Sequence, residues 1–198
     1  GAAGAIGQSN IKRLLAYSSI NNIGFALIGL AAGGEAGVAS VIYYMTVYIV
    51  MTLGSFLVVL QMRTASGEQV ETIASLSGLS RVRPGLALAL MIFMFSLAGI
   101  PPFMGFFAKL AVFDAAVRTG LYPLAVFGIA ASVIGAYYYI RIIKTMYFDA
   151  VAEGEGFVGG PMLERGLIVL LALAISPAGW FVMKSLDAWT LHAAQALI

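Results

Sequence analysis

Five apolar stretches, at about 14–33, 37–62, 84–117, 121–147 and 165–182, make up most of this chain, with charged residues concentrated at their ends and between them. A helix crossing about 30 Å of hydrocarbon needs about 20 mainly apolar residues. Each stretch meets or approaches that length. The chain is 61% hydrophobic and 10% charged, whereas a soluble domain carries about 25% charged residues. A soluble fold of 198 residues could not bury so many apolar side chains. The expected fold is an all-α polytopic membrane helix bundle forming a single transmembrane domain over 1–198. Residues 183–198 read as an amphipathic tail lying in the interface.

If the spans alternate, Lys12, Arg13, Arg63, Arg81, Arg83, Arg141, Lys144 and Arg165 fall on one side of the membrane and only Arg118 and Lys184 on the other. This excess marks the first side as cytoplasmic and the C-terminus as extracytoplasmic. There is no cysteine, which excludes disulfides and thiolate metal sites. The sequence opens on Gly1 without an initiator Met or a secretory signal. It reads as a piece of a longer chain, entered near the end of one membrane helix.

The third stretch is too long. As one straight helix, residues 84–117 would extend about 50 Å. A break near the middle resolves this, and Gly99, Ile100, Pro101 and Pro102 supply it. The prolines lack N–H donors and clash with the preceding turn, and Pro102 pushes Pro101 away from helical angles. The expected discontinuous helix is therefore 84–100 plus 103–117. Carbonyls freed at membrane depth are tolerated only against protein or water, and broken helices recur at ion sites in transporters.

Lys109 lies in the second half of that helix. Lysine at a membrane helix centre costs about 2.5–3.5 kcal/mol on insertion scales. One reading has it snorkel to the nearer face. The other has it face a hydrated interior, where desolvation disfavours the charged amine and proton exchange becomes feasible. Lys109 has no carboxylate at i±3 or i±4, so any partner comes from another helix or chain.

Polar side chains mark the neighbouring spans. Ser18 and Asn22 lie at i, i+4 in "AYSSINNIGF". Tyr44, Tyr48, Thr52 and Ser55 share one helix face. Both sets suit either interhelical hydrogen bonding or the lining of a chain of waters. Arg141, one turn from Lys144, either snorkels among interfacial tyrosines or lines the cytoplasmic mouth of a proton path. No nucleotide loop, metal cluster or nucleophile–base set is visible, and the glycines of "GGEAG" and "GEGFVGG" read as turns. No metal and no nucleic-acid partner is expected.

Together, "QSNIKRLLAYSSINNIGF" (8–25), "SLAGIPPFMGFFAKL" (96–110) and "IGAYYYIRIIKTMYF" (134–148) resemble the antiporter-like membrane subunits of respiratory complex I. The resemblance covers roughly 1–182 and is nearest to the subunit N branch. It implies the end of a ninth helix followed by helices ten to fourteen, out of fourteen core helices built as two inverted repeats. It also implies that Lys109 is the protonatable lysine of the C-terminal half-channel and that Pro101 and Pro102 form the break. The family's other key groups, a glutamate and two lysines, lie in helices this sequence does not include. Two departures stand out. "SSINN" replaces the "SSISH" of many relatives. Tyr44 and Tyr48 occupy a face where subunits L and M and the Mrp-type antiporters often carry His and Lys. The second departure favours subunit N, and it leaves the route between Lys109 and the cytoplasm to water and hydroxyls.

The resemblance further implies a proton-translocating subunit of NADH:quinone oxidoreductase in a bacterial inner membrane, with a periplasmic C-terminus. Its partners are the neighbouring antiporter-like subunit, small membrane subunits and the lipid bilayer. NADH, FMN, iron–sulfur clusters and quinone act elsewhere in the complex, and this chain binds no cofactor. The alternatives are an Mrp-type cation/proton antiporter subunit and a structural membrane subunit without proton transfer.

Overall fold

The computed structural model describes residues 1–63, 67–151 and 161–197, the side chains of Met183 and Lys184 excepted. The stretch 152–160, where the glycines of "GEGFVGG" were expected to turn, lies outside the described residues, as does the side chain of Lys184.

The described residues are helical almost throughout. Nine α-helices run in order: α1 (Ala2–Ile6), α2 (Ile11–Ala32), α3 (Gly34–Gln61), α4 (Leu79–Val82), α5 (Pro84–Ala98), α6 (Met104–Arg118), α7 (Tyr122–Phe148), α8 (Met162–Ile175) and α9 (Trp180–Gln195). Helices α2, α3 and α7 are each long and apolar enough to cross a membrane, and α5 is a shorter apolar helix. The third apolar stretch is broken: α5 and α6 have 15 residues each, about 22 Å apiece, and meet at residues 99–103.

Helix α3 is the hub, packing against α2, α5, α6, α8 and α9, while α7 packs against α5, α2 and α6. Small residues allow close approach. A Cβ at Gly37 would lie 2.7 Å from the Gly29 carbonyl oxygen, and one at Gly54 would sit 2.1 Å from the Phe93 ring. Leu27, Leu53, Phe127 and Val133 are exposed on outward faces, an arrangement suited to hydrocarbon and not to water.

One end of the bundle is closed by residues 67–83. Ile73 N–H donates to the Ser9 carbonyl (2.8 Å), Ile11 N–H to the Glu71 carbonyl (2.8 Å) and Gly78 N–H to the Thr145 carbonyl (3.2 Å). Val70, Ile73, Leu76 and Leu79 are buried beneath them. Lys12 pairs with Glu71 at 2.9 Å and also bonds Gln69. This ion pair, with Asn10 as a further donor to the carboxylate, holds the Glu71 carboxyl below the usual carboxylate range. The basic residues 12, 63, 81 and 144 therefore lie on or beside one closed end. Arg118 pairs with Asp114 at 2.5 Å near the C-terminus of α6.

The stretch expected as one span over 165–182 is divided. Helix α8 ends at Ile175, Ser176 is extended ahead of Pro177, and a 3-10 turn over Pro177–Gly179 leads into α9. The cause is local: Pro177 has no N–H for a continuing helix and disfavours helical angles at Ser176. Ser176 Oγ accepts from Ala178 N–H at 3.2 Å. Residues 183–195, read from the sequence as an interfacial tail, belong to α9, which packs against α3.

Candidate functional site

The break follows from its residues one by one. Gly99 ends α5 in the left-handed region (φ 80, ψ 42), a conformation open to glycine at no steric cost. Its N–H donates to the Ser96 carbonyl (3.0 Å), and Ile100 N–H reaches back to the Phe95 carbonyl (3.1 Å). Two further carbonyls of the last α5 turn, Leu97 and Ala98, accept from the Lys109 ammonium at 2.9 and 3.1 Å. Pro102 O accepts from Trp180 Nε1 on α9 at 3.2 Å. On the other side of the break, α6 has no capping side chain of its own. Ser96 Oγ fills that place, accepting from Gly105 N–H at 3.0 Å and donating to Met51 Sδ at 3.0 Å.

Lys109 is 5% exposed. Its side chain runs back along α6 toward the break instead of outward toward the membrane surface. The third ammonium bond goes to Ser132 Oγ on α7 at 2.9 Å. The amine also stands over the Phe25 ring, 5.0 Å from its centroid. Hydrogen bonds to a charged group contribute about 1.5–3 kcal/mol each, so two of them offset the insertion cost of about 2.5–3.5 kcal/mol. The negative end of the α5 macrodipole acts in the same direction. Close passage of the lysine is possible because residue 99 is glycine: a Cβ there would lie 2.9 Å from Lys109 Cδ.

Beside this cradle lies a hydroxyl–amide network between α2, α3 and α7. Asn22 Nδ2 donates to the Ser18 carbonyl (2.8 Å) and to Tyr139 OH (3.1 Å), while Tyr44 OH donates to Asn22 Oδ1 (2.8 Å). Ser18 Oγ bonds Tyr139 OH, and Asn21 Nδ2 reaches Tyr138 OH at 3.5 Å. Ser18, Asn22, Tyr44 and Tyr139 are all buried. Phe25, one turn beyond Asn22, touches Tyr44 edge-on (ring centroids 6.4 Å) and Phe113 (5.7 Å).

The expected residues divide accordingly. Ser18, Asn22 and Tyr44 are joined in one network. Tyr48 stacks on Tyr44, with centroids at 6.3 Å. The face they share carries no continuous hydroxyl chain: Thr52 is half-buried outside the network, and Ser55 Oγ bonds its own helix at the Met51 carbonyl, 2.7 Å. Arg141 donates to the Ile6 carbonyl (3.2 Å), at the C-terminal end of α1, and to the Gln8 carbonyl (3.5 Å) just after it. Gly99, Pro101 and Pro102 form the break. Ser96, Ser132, Phe25 and Trp180 were not singled out from the sequence. The available signal was that Ser96 and Ser132 are isolated hydroxyls in apolar runs, "MIFMFSLAGI" and "FGIAASVIGA". Among the described residues, no group of three or more His, Cys, Asp or Glu side chains is placed to hold a metal ion.

Residues 1–135 match the family described as NADH:quinone oxidoreductase/Mrp antiporter, transmembrane. The NADH-quinone oxidoreductase subunit N of Rhizorhabdus wittichii is 62% identical over 197 residues, covering 100% of this chain and 41% of that relative. The chain thus spans less than half the length of such relatives. A chain of respiratory complex I from Thermus thermophilus with bound aureothin superposes with a TM-score of 0.74 at 30% identity, over 88% of this chain and 39% of that one. A chain of the Mrp complex from Dietzia sp. shares the fold, with a TM-score of 0.80 at 22% identity over 98% of this chain and 44% of that one. With the family model matching residues 1–135, more than half of its length, this chain is a member of the NADH:quinone oxidoreductase/Mrp antiporter transmembrane family.

Proposed function

We propose that this chain is the C-terminal portion of a proton-translocating subunit of NADH:quinone oxidoreductase, and that Lys109 is its proton-exchanging group. The observation that carries the reading is the Lys109 cradle: an ammonium held at a helix break by Leu97 O, Ala98 O and Ser132 Oγ, almost fully removed from the surface. The 62% identity to a subunit N supports the complex I assignment over an Mrp-type antiporter.

In this reading Lys109 alternates between charged and neutral amine. The α5 carbonyls and Ser132 stabilise the charged form. A charge change in the rest of the subunit biases the equilibrium, and the proton leaves toward the periplasm. The Ser18–Asn22–Tyr44–Tyr139 cluster serves the cytoplasmic approach, with the Arg141 region at its mouth. The subunit sits in a bacterial inner membrane with its C-terminus periplasmic, beside a neighbouring antiporter-like subunit and small membrane subunits. Redox chemistry on NADH, FMN, iron–sulfur clusters and quinone takes place elsewhere in the complex.

The test is Lys109→Ala in the full-length subunit of an assembled complex, read as protons pumped per NADH. The expected result is a lower ratio with NADH oxidation retained. An unchanged ratio rejects the reading in favour of a structural lysine. Loss with Lys109→Ala but partial retention with Lys109→Arg assigns a positional charge in place of proton exchange.

A further inference from the structure

Lys109 and the hydroxyl–amide network are neighbours with no hydrogen bond between them among the described residues. Phe25 is in contact with both. Its ring centroid lies 5.0 Å from the Lys109 ammonium and 6.4 Å from the Tyr44 ring, and it is 2% exposed. The Tyr44 hydroxyl donates to Asn22 Oδ1 at 2.8 Å, within the network. Phe113 of α6 braces the Phe25 ring edge-on at 5.7 Å. All three ammonium hydrogens are committed elsewhere, to Leu97, Ala98 and Ser132.

We propose that Phe25 is a gate between the Ser18–Asn22–Tyr44–Tyr139 network and Lys109, held shut by the ammonium itself. The inference rests on the proton-exchange reading of Lys109 and names the barrier in its cytoplasmic half. An aromatic ring carries no exchangeable proton and excludes water from the space it fills. The charged amine attracts the ring face and keeps it in the junction. Once Lys109 has given up its proton, that attraction is lost and the ring is held by apolar packing, the edge contacts with Tyr44 and Phe113 among it. Displacement of the ring admits water between Tyr44 and the amine. A proton then moves from that water onto the Nζ lone pair, forming one N–H bond and breaking one O–H bond. The network hydroxyls relay the replacement proton from the cytoplasmic side. The ammonium that results draws the ring back, so uptake is self-limiting and back-flow is blocked while the charge waits for release.

The test uses the assembled complex with full-length subunit in proteoliposomes. Passive proton conductance is measured under an imposed potassium diffusion potential without NADH, and pumping is measured with NADH. Phe25→Ala is expected to raise passive conductance at least fivefold and lower pumping per NADH. Adding Lys109→Ala to Phe25→Ala should return conductance to the wild-type value, because the leak runs through that amine. Phe25→Leu, which keeps most of the apolar volume and so protects assembly, should give a smaller rise of the same sign. Wild-type conductance in both Phe25 variants overturns the gate, and so does a leak that persists in the double variant. Failure of the underlying reading looks different: Lys109→Ala alone then pumps at the wild-type ratio.

Discussion

Ser96 and Lys109 cap the two sides of one break from opposite helices. Ser96 on α5 accepts from Gly105 N–H at the start of α6, and Lys109 on α6 donates to Leu97 and Ala98 at the end of α5. Each half-helix thus satisfies backbone groups that the other exposes, which is what allows a discontinuous helix to persist at membrane depth.

Ser96→Ala removes the acceptor for a buried N–H. The expected cost is about 1–3 kcal/mol, seen as a lower thermal midpoint of the full-length subunit in detergent. Ser96→Thr, which keeps an acceptor, should recover part of it.

Gly99→Ala puts a Cβ at φ 80 and within 2.9 Å of Lys109 Cδ. The backbone strain alone is about 1 kcal/mol or more. Because the new methyl also displaces the lysine stem, pumping per NADH should fall further than in Ser96→Ala at matched stability. Equal pumping in the two variants would contradict the close-passage argument.

Ser132→Ala takes away one of three ammonium partners while leaving both α5 carbonyls. Partial loss of pumping is expected, with Ser132→Thr nearer to wild type and Ser132→Val as low as Ala. Measured proton ratios in proteoliposomes decide it, and identical values for Thr and Val would remove Ser132 from the cradle.

The Lys12–Glu71 pair gives the closed end a pH dependence of definite sign. The folded-state carboxyl titrates below its ordinary range, so its contribution is complete above that range. It is lost as pH falls through the depressed value. Hydrogen exchange at Ile11 and Ile73, whose amides tie this end together, should therefore speed up on acidification below about pH 4 once intrinsic rates are corrected. In Glu71→Gln that extra acceleration should be absent.

The sequence made the break legible because length and proline leave few solutions: residues 84–117 cannot be one straight span, and Gly99–Pro102 is where the helix must stop. The same logic was available at Pro177 and was outweighed by an 18-residue apolar stretch, so the α8–α9 division went unread. Lys109 was legible as an anomaly, a cation in an apolar run. Its partners were not, since main-chain carbonyls leave no mark in a residue pattern and Ser132 comes from another helix. The Tyr44–Tyr48–Thr52–Ser55 row shows the converse. Helical spacing put the four on one face, yet of these four it is Tyr44 that bonds Asn22, and Ser55 turns back to its own helix.

The most direct measurement is redox-induced infrared difference spectroscopy on the assembled complex with 15N-labelled lysine. If Lys109 takes up and gives up a proton during turnover, the wild-type difference spectrum contains an isotope-sensitive lysine ammonium band that disappears in Lys109→Arg. Superimposable difference spectra for the two proteins would mean that the amine at the break keeps its proton throughout, and would contradict the account.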